Sequence, residues 1–135
     1  MIQEALRINP PVTLTTRYHF EKNDFKVGGL NVRAGDGIMI NVFGLHRNSK
    51  QWQRPHDFLP DRFDPSHPLA STPDGQKRHT MSWLPFNGGR RVCFGKTFAE
   101  HVMKMLVTMM AQRFDMEFSE KGKYSASDMP RLVIG

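Results

Sequence analysis

The spacing of apolar residues changes along the chain, and each change predicts an element. Ile2 to Ile8 has helical spacing, and Pro10-Pro11 ends it, because a proline pushes the residue before it out of the α region. Val12, Leu14 and Thr16 fall on alternate positions, which predicts a short strand from Val12 to Tyr18. Phe25 to Val27 and Leu30 to Val32 flank Gly28-Gly29, the signature of a tight hairpin. A second turn, Arg33-Ala34-Gly35-Asp36-Gly37, leads into the apolar run Ile38 to Val42. These pieces predict one small antiparallel sheet of three or four strands.

From Asn48 to Pro85 the periodicity is lost. Pro55, Pro60, Pro65, Pro68, Pro73 and Pro85 disfavour long helices and central strands. A stretch this long without regular elements is uncommon in a compact domain and is often functional. Its aromatic residues, Trp52, Phe58, Phe63 and Trp83, are the candidates for pinning it to a core, and Ser71 to Thr80 is the candidate mobile surface insert. Beyond it, Phe98, Val102, Met105 and Met109 stand at helical spacing, and Leu106, Met110 and Phe114 widen the apolar face. A helix from about Gly95 to Arg113 follows, with the methionines read as core filling rather than as a metal or cofactor box. Phe114 to Phe118 and Arg131 to Ile134 read as terminal strands.

At 135 residues the chain suits a single domain with a modest core. It has no apolar run of about 18 residues, so it encodes no transmembrane helix. The start, Met1-Ile2-Gln3-Glu4, lacks the basic and apolar regions of a signal peptide. The net charge of +6 raises the question of a nucleic-acid partner. The basic residues are dispersed, with Arg90-Arg91 and Lys77-Arg78-His79 as the densest groups, so no nucleic acid is expected. A basic face for an acidic protein partner accounts for the charge as well.

The most informative run is Phe86-Asn87-Gly88-Gly89-Arg90-Arg91-Val92-Cys93-Phe94-Gly95, which holds the chain's single cysteine. A disulfide scaffold is thereby excluded, and a reducing compartment fits. A lone cysteine is ordinarily a small buried hydrophobe. Here glycines and arginines precede it and a helix pattern follows, so N–H groups and a helix dipole favour thiolate charge on its sulfur. Zinc would need further Cys or His ligands at recognisable spacing. A nucleophile would need a base, and no histidine lies close to Cys93 in sequence, although His79 and His101 are possible in space.

The spacing Phe-x-x-Gly-x-Arg-x-Cys-x-Gly resembles the haem-binding loop of the cytochrome P-450 superfamily. Glu4-Ala5-Leu6-Arg7 resembles that family's Glu-x-x-Arg helix, and Pro60-Asp61-Arg62-Phe63 its Pro-x-Arg-Phe motif, with Asp61 in place of the commoner glutamate. His46-Arg47-Asn48, followed by Trp52, resembles the stretch between them and takes a structural role. The three main motifs also stand in the family's order.

The resemblance implies an α+β chain, mostly α in the complete fold. Residues 1–135 would form the C-terminal, proximal part: Glu-x-x-Arg helix, small antiparallel sheet, irregular meander, Cys loop and long following helix. It implies haem b held by Cys93 as the metal ligand, with Phe86, Gly89 and Gly95 around the sulfur and Arg91 and Arg17 on haem propionates. It implies a structural network of Glu4, Arg7 and Arg62, and it places Leu14 and Thr15 at the substrate pocket. None of these residues is assigned a catalytic role.

The implied activity is monooxygenation: one oxygen atom of O2 enters a small apolar organic substrate, with electrons from a reductase or ferredoxin docked on the basic proximal face. The family's distal helix and any membrane anchor would lie upstream of Met1, so this chain alone is expected to be inactive. The alternatives are a truncated, non-catalytic haem-binding module or gene-model fragment, and a rearrangement of oxygenated lipids without O2. An endoplasmic reticulum membrane location is implied for a typical eukaryotic member, and a cytoplasmic one otherwise.

Overall fold

The computed structural model describes residues 1–19 and 23–115. Helix α1 spans Ile2–Ile8 and stops before Pro10, as the proline pair requires. Strand β1, Leu14–Tyr18, pairs antiparallel with β4, Gly37–Asn41, in the register Thr16 opposite Met39. Strands β2, Phe25–Val27, and β3, Leu30–Val32, form a separate hairpin. Gly28 (φ +54°) and Gly29 (φ +84°) both occupy the left-handed region, as a two-residue turn matched to strand twist demands. The predicted single sheet is therefore two sheets of two strands each.

The alternation in β1 also differs from expectation. Val12 lies outside the strand, Leu14 and Thr16 are exposed, and Thr15 and Arg17 take the half-buried face. Leu14 and Met39 are thus exposed apolar residues on β1 and β4. The run from Ile38 does not continue as strand to Val42, because Asn41 accepts the Gly44 N–H at 2.8 Å and starts a one-turn helix, α2, Val42–Leu45.

The meander is ordered by four short 3-10 turns, Pro60–Phe63, Pro68–Ala70, Thr80–Ser82 and, within the cysteine loop, Gly89–Arg91. Its anchor is the buried Trp52 ring, which lies 6.0 Å from Phe63, itself 5.5 Å from Trp83. The guanidiniums of Arg7 and Arg78 both stand over the Trp52 ring, at 5.1 and 4.0 Å.

Ser71 to Thr80 is not the loose insert the sequence predicted. Thr72 is buried and exchanges hydrogen bonds with Gln76, while Ser71 and Lys77 form a β-bridge. Arg78 donates to the carbonyls of Gln51 (3.0 Å) and Leu69 (2.6 Å), fastening the segment to the meander. Burial, with Arg62 and Arg7 nearby, pushes the Arg78 pKa down to about 10, which still leaves it cationic at neutral pH.

Helix α3, Lys96–Arg113, falls where the periodicity placed it. Its apolar residues are not core filling among the described residues. Phe98 is 75% exposed and Met105 61%, and Leu106, Val107, Met109 and Met110 are exposed as well. The helix pattern is right; what differs is that no described element covers that face. The predicted strands at Phe114 to Phe118 and Arg131 to Ile134 lie almost wholly outside the described residues, and Phe114 itself is extended backbone that caps α3.

Trp52→Ala should lower the unfolding free energy by about 3–5 kcal/mol, since it empties a fully buried aromatic site and removes the surface under two guanidiniums. Denaturant unfolding of the two forms checks it.

Candidate functional site

Four buried residues, on α1, at the α2 end and in the meander, meet in one network. Glu4 and Arg7, three apart on α1, share one helical face and are completely buried. The carboxylate accepts from Arg7 Nε at 2.7 Å and Nη2 at 2.8 Å, a bidentate pair. Glu4 Oε1 also accepts from Arg62 Nε at 3.0 Å and from the Leu59 N–H at 2.9 Å. The expected Glu4–Arg7–Arg62 network is thus brought together over a separation of 58 residues.

The guanidiniums exceed the carboxylate in charge, and backbone carbonyls make up the difference. Arg7 Nη1 donates to the carbonyls of His46 (2.8 Å) and Pro55 (2.7 Å), and Nη2 to that of Asp57 (3.0 Å). Arg62 donates to the carbonyls of Gln53 and Arg54. Desolvation, then repulsion from Arg7, lowers the Arg62 pKa, and Glu4 opposes the shift. Sequence reasoning found these three residues by motif order. It missed Arg78, which reads as one member of a basic cluster until the fold lays it on Trp52.

His46 is also fully buried. Its Nδ1 lies 3.2 Å from the Arg7 carbonyl oxygen, and its Nε2 accepts the Leu84 N–H at 2.8 Å. Burial, then repulsion from Arg7 and Arg47, pushes its pKa from the ordinary 6.5 to about 4, against the pull of its backbone bond to Arg7. The imidazole is therefore neutral at physiological pH.

The cysteine loop turns tightly. Asn87 (φ +61°) and Gly89 (φ +65°) both adopt left-handed backbone, and the Cys93 N–H donates to the Phe86 carbonyl at 2.8 Å, closing the loop on itself. Gly89 suits this conformation, which L side chains rarely adopt. At Gly95 a Cβ would stand 3.8 Å from Cys93 Sγ, facing the sulfur. Asn87 was not singled out from sequence; its tolerance of left-handed backbone was the available signal.

Cys93 is exposed, three residues before α3, and its carbonyl accepts the Lys96 N–H at 3.2 Å. Arg91 is exposed in the turn Gly89–Arg91, and Phe86 is half-buried. Arg17 is held on β1, donating to Thr15 Oγ1 and the Thr16 carbonyl, both at 2.9 Å. Leu14 is exposed beside the half-buried Thr15 at the start of the same strand. Among the described residues no three His, Cys, Asp or Glu side chains gather into a multidentate metal site. The donor set at Cys93 is one sulfur.

The chain matches the family model for cytochrome P-450 over residues 1–134. It belongs to the cytochrome P-450 family. A steroid 17-alpha-hydroxylase/17,20 lyase of Felis catus is 36% identical over 90% of this chain and 23% of its own length. Cytochrome P-450 4A10 of Rattus norvegicus is 38% identical over 98% of this chain and 24% of its own length. The solved structure of retinoic acid-bound cyanobacterial CYP120A1 superposes with a TM-score of 0.72 at 31% identity, covering 84% of this chain and 25% of that one.

The chain therefore spans about a quarter of the length of the relatives it matches. Membership in the P-450 family implies a haem cofactor, and the loop fits one: a lone exposed thiol, a glycine facing its sulfur, and an exposed arginine two residues away.

Two outcomes follow from the buried network. Arg62→Ala should destabilise the folded protein by about 3–5 kcal/mol, because Glu4 loses a charged partner it cannot replace with water; denaturant unfolding measures it. For His46, both folded and unfolded chains are neutral above pH 6.5, so it contributes no pH dependence there. Between pH 6.5 and about 4 only the unfolded chain takes up the proton, so stability falls as the pH drops through that window. Melting temperatures recorded across that window should fall more steeply for wild type than for His46→Gln.

Proposed function

We propose that Cys93 is the thiolate ligand of haem b iron and that the protein carrying this chain is a monooxygenase. The observation that carries the reading is the loop itself: a single cysteine, exposed at the start of α3, with its N–H tied to the Phe86 carbonyl. When bound, haem supplies the activation of dioxygen and the insertion of one oxygen atom into the substrate.

The chain's own residues hold and orient. Helix α3 directs its N-terminal N–H groups toward the side of the loop where Cys93 lies, which favours negative charge on Sγ. Gly95 leaves the sulfur unobstructed by a Cβ, and the left-handed Asn87 and Gly89 give the loop its curvature. Arg91 offers a fork of donors matched to a propionate carboxylate. Arg17 is assigned a second propionate. Its Nη1 is occupied by Thr15 and Thr16 and would exchange one of these partners.

A small apolar organic substrate fits the relatives, whose names include a steroid hydroxylase and a taurochenodeoxycholic acid hydroxylase. Leu14 and Thr15, at the start of β1, are the residues here that would touch it. Arg90 and Arg91, both exposed and close to Cys93 in sequence, suit an acidic redox partner. An endoplasmic reticulum location belongs to the same reading through the eukaryotic relatives; no helix among the described residues is long and apolar enough to cross a membrane.

The test is the carbon monoxide difference spectrum of the ferrous holoprotein. Wild type should show the strongly red-shifted Soret band of thiolate ligation, and Cys93→Ala should abolish it. A red-shifted band retained in Cys93→Ala would refute the assignment.

A further inference from the structure

The hydrogen bonds of His46 join two segments that are remote in sequence. The Leu84 N–H can only donate, so Nε2 must accept from it. The Arg7 carbonyl can only accept, so the proton sits on Nδ1. One neutral tautomer satisfies both, and a protonated ring would present a donor to a donor. Charged groups facing the ring are Arg7 on α1 and Arg47 at the end of α2. The backbone of His46 is held to the same arginine, its carbonyl accepting from Arg7 Nη1 at 2.8 Å.

Leu84 opens the segment on which the cysteine loop rests. Its carbonyl accepts the Asn87 N–H at 3.2 Å, and its side chain lies so close to Gly88 that a Cβ there would come within 3.2 Å of Leu84 Cδ2. Two residues on, the Phe86 carbonyl accepts the Cys93 N–H. The bond from His46 to Leu84 is therefore a direct link between the Glu4–Arg7–Arg62 network and the backbone that presents the sulfur.

We propose that His46 is a positioning residue for Cys93, anchoring the Leu84 N–H so that the buried network sets the height and tilt of the loop. The proposal rests on the reading of Cys93 as the haem ligand. A ring that only filled space would be replaceable by any side chain of similar volume; a positioning ring is replaceable only by one that accepts at Nε2. Glutamine can bring an acceptor oxygen to that place. Asparagine can keep the bond to the Arg7 carbonyl but is too short to reach Leu84, and phenylalanine keeps the volume and neither bond.

The experiment uses the full-length holoprotein carrying this chain, with His46→Gln, His46→Asn and His46→Phe. Two quantities are read: amide hydrogen exchange at Leu84 and Cys93, and the fraction of carbon monoxide-bound haem in the red-shifted thiolate band. His46→Asn and His46→Phe should exchange roughly fivefold faster or more at both amides and shift haem out of that band. His46→Gln should restore both.

Wild-type exchange and spectrum in His46→Phe would overturn the proposal, and so would equal losses in all three variants, which mark a packing role. If the variants do not fold, wild type decides. A Leu84 amide that exchanges as slowly as those of α1, with a ring proton on Nδ1 by nitrogen NMR, supports the bridge, and a fast one overturns it. Absence of the thiolate band in wild type would instead remove the Cys93 reading, while exchange at Leu84 still decides whether the bridge exists.

Discussion

Glu4 brings one carboxylate into an interior that also holds the guanidiniums of Arg7 and Arg62, and all three side chains are shut off from solvent. Desolvating such groups is unfavourable by several kcal/mol for each ion, and attraction between them recovers it only when every donor and acceptor is matched. Here the match is reached by recruiting the backbone. Carbonyls of His46, Gln53, Arg54, Pro55 and Asp57 accept the remaining N–H groups, and the Leu59 N–H completes Glu4. The meander has little regular structure, so these bonds fix its path. Its order is a consequence of satisfying buried charge.

That constraint reaches the cysteine loop through the His46 ring, which joins the backbone of Arg7 to that of Leu84. The network fixes α1 against the α2 end, His46 fixes Leu84, and Leu84 and Phe86 support the loop that carries Cys93. The Cys93 thiol, the apolar stripe of α3, and Leu14 and Met39 of β1 and β4 are exposed.

Local features were legible in the sequence because they depend on short-range chemistry. The proline pair stops α1, the glycine pair turns the hairpin, and the periodicity after Gly95 places α3 within a residue of its observed start. The cysteine loop was legible because its spacing is dense and specific. The failures have a common cause. Ser71 to Thr80 looked mobile because it is polar and rich in turn residues, yet Arg78 is anchored by carbonyls that no pattern of its own could announce. The methionines of α3 looked like core because helical spacing reports an apolar face and not what covers it.

The sequence by itself determined α1, the hairpin, α3, the loop and the identity of the charged trio, since each is written in residue types at fixed spacing. Only the tertiary structure decided that the sheet splits in two, which strand face is covered, that Asn87 and Gly89 take left-handed backbone, and that His46 bridges Arg7 to Leu84. These depend on which backbone groups meet across long separations. Hydrogen-bond satisfaction of a buried donor is a property of its surroundings, and those exist only once the chain is folded.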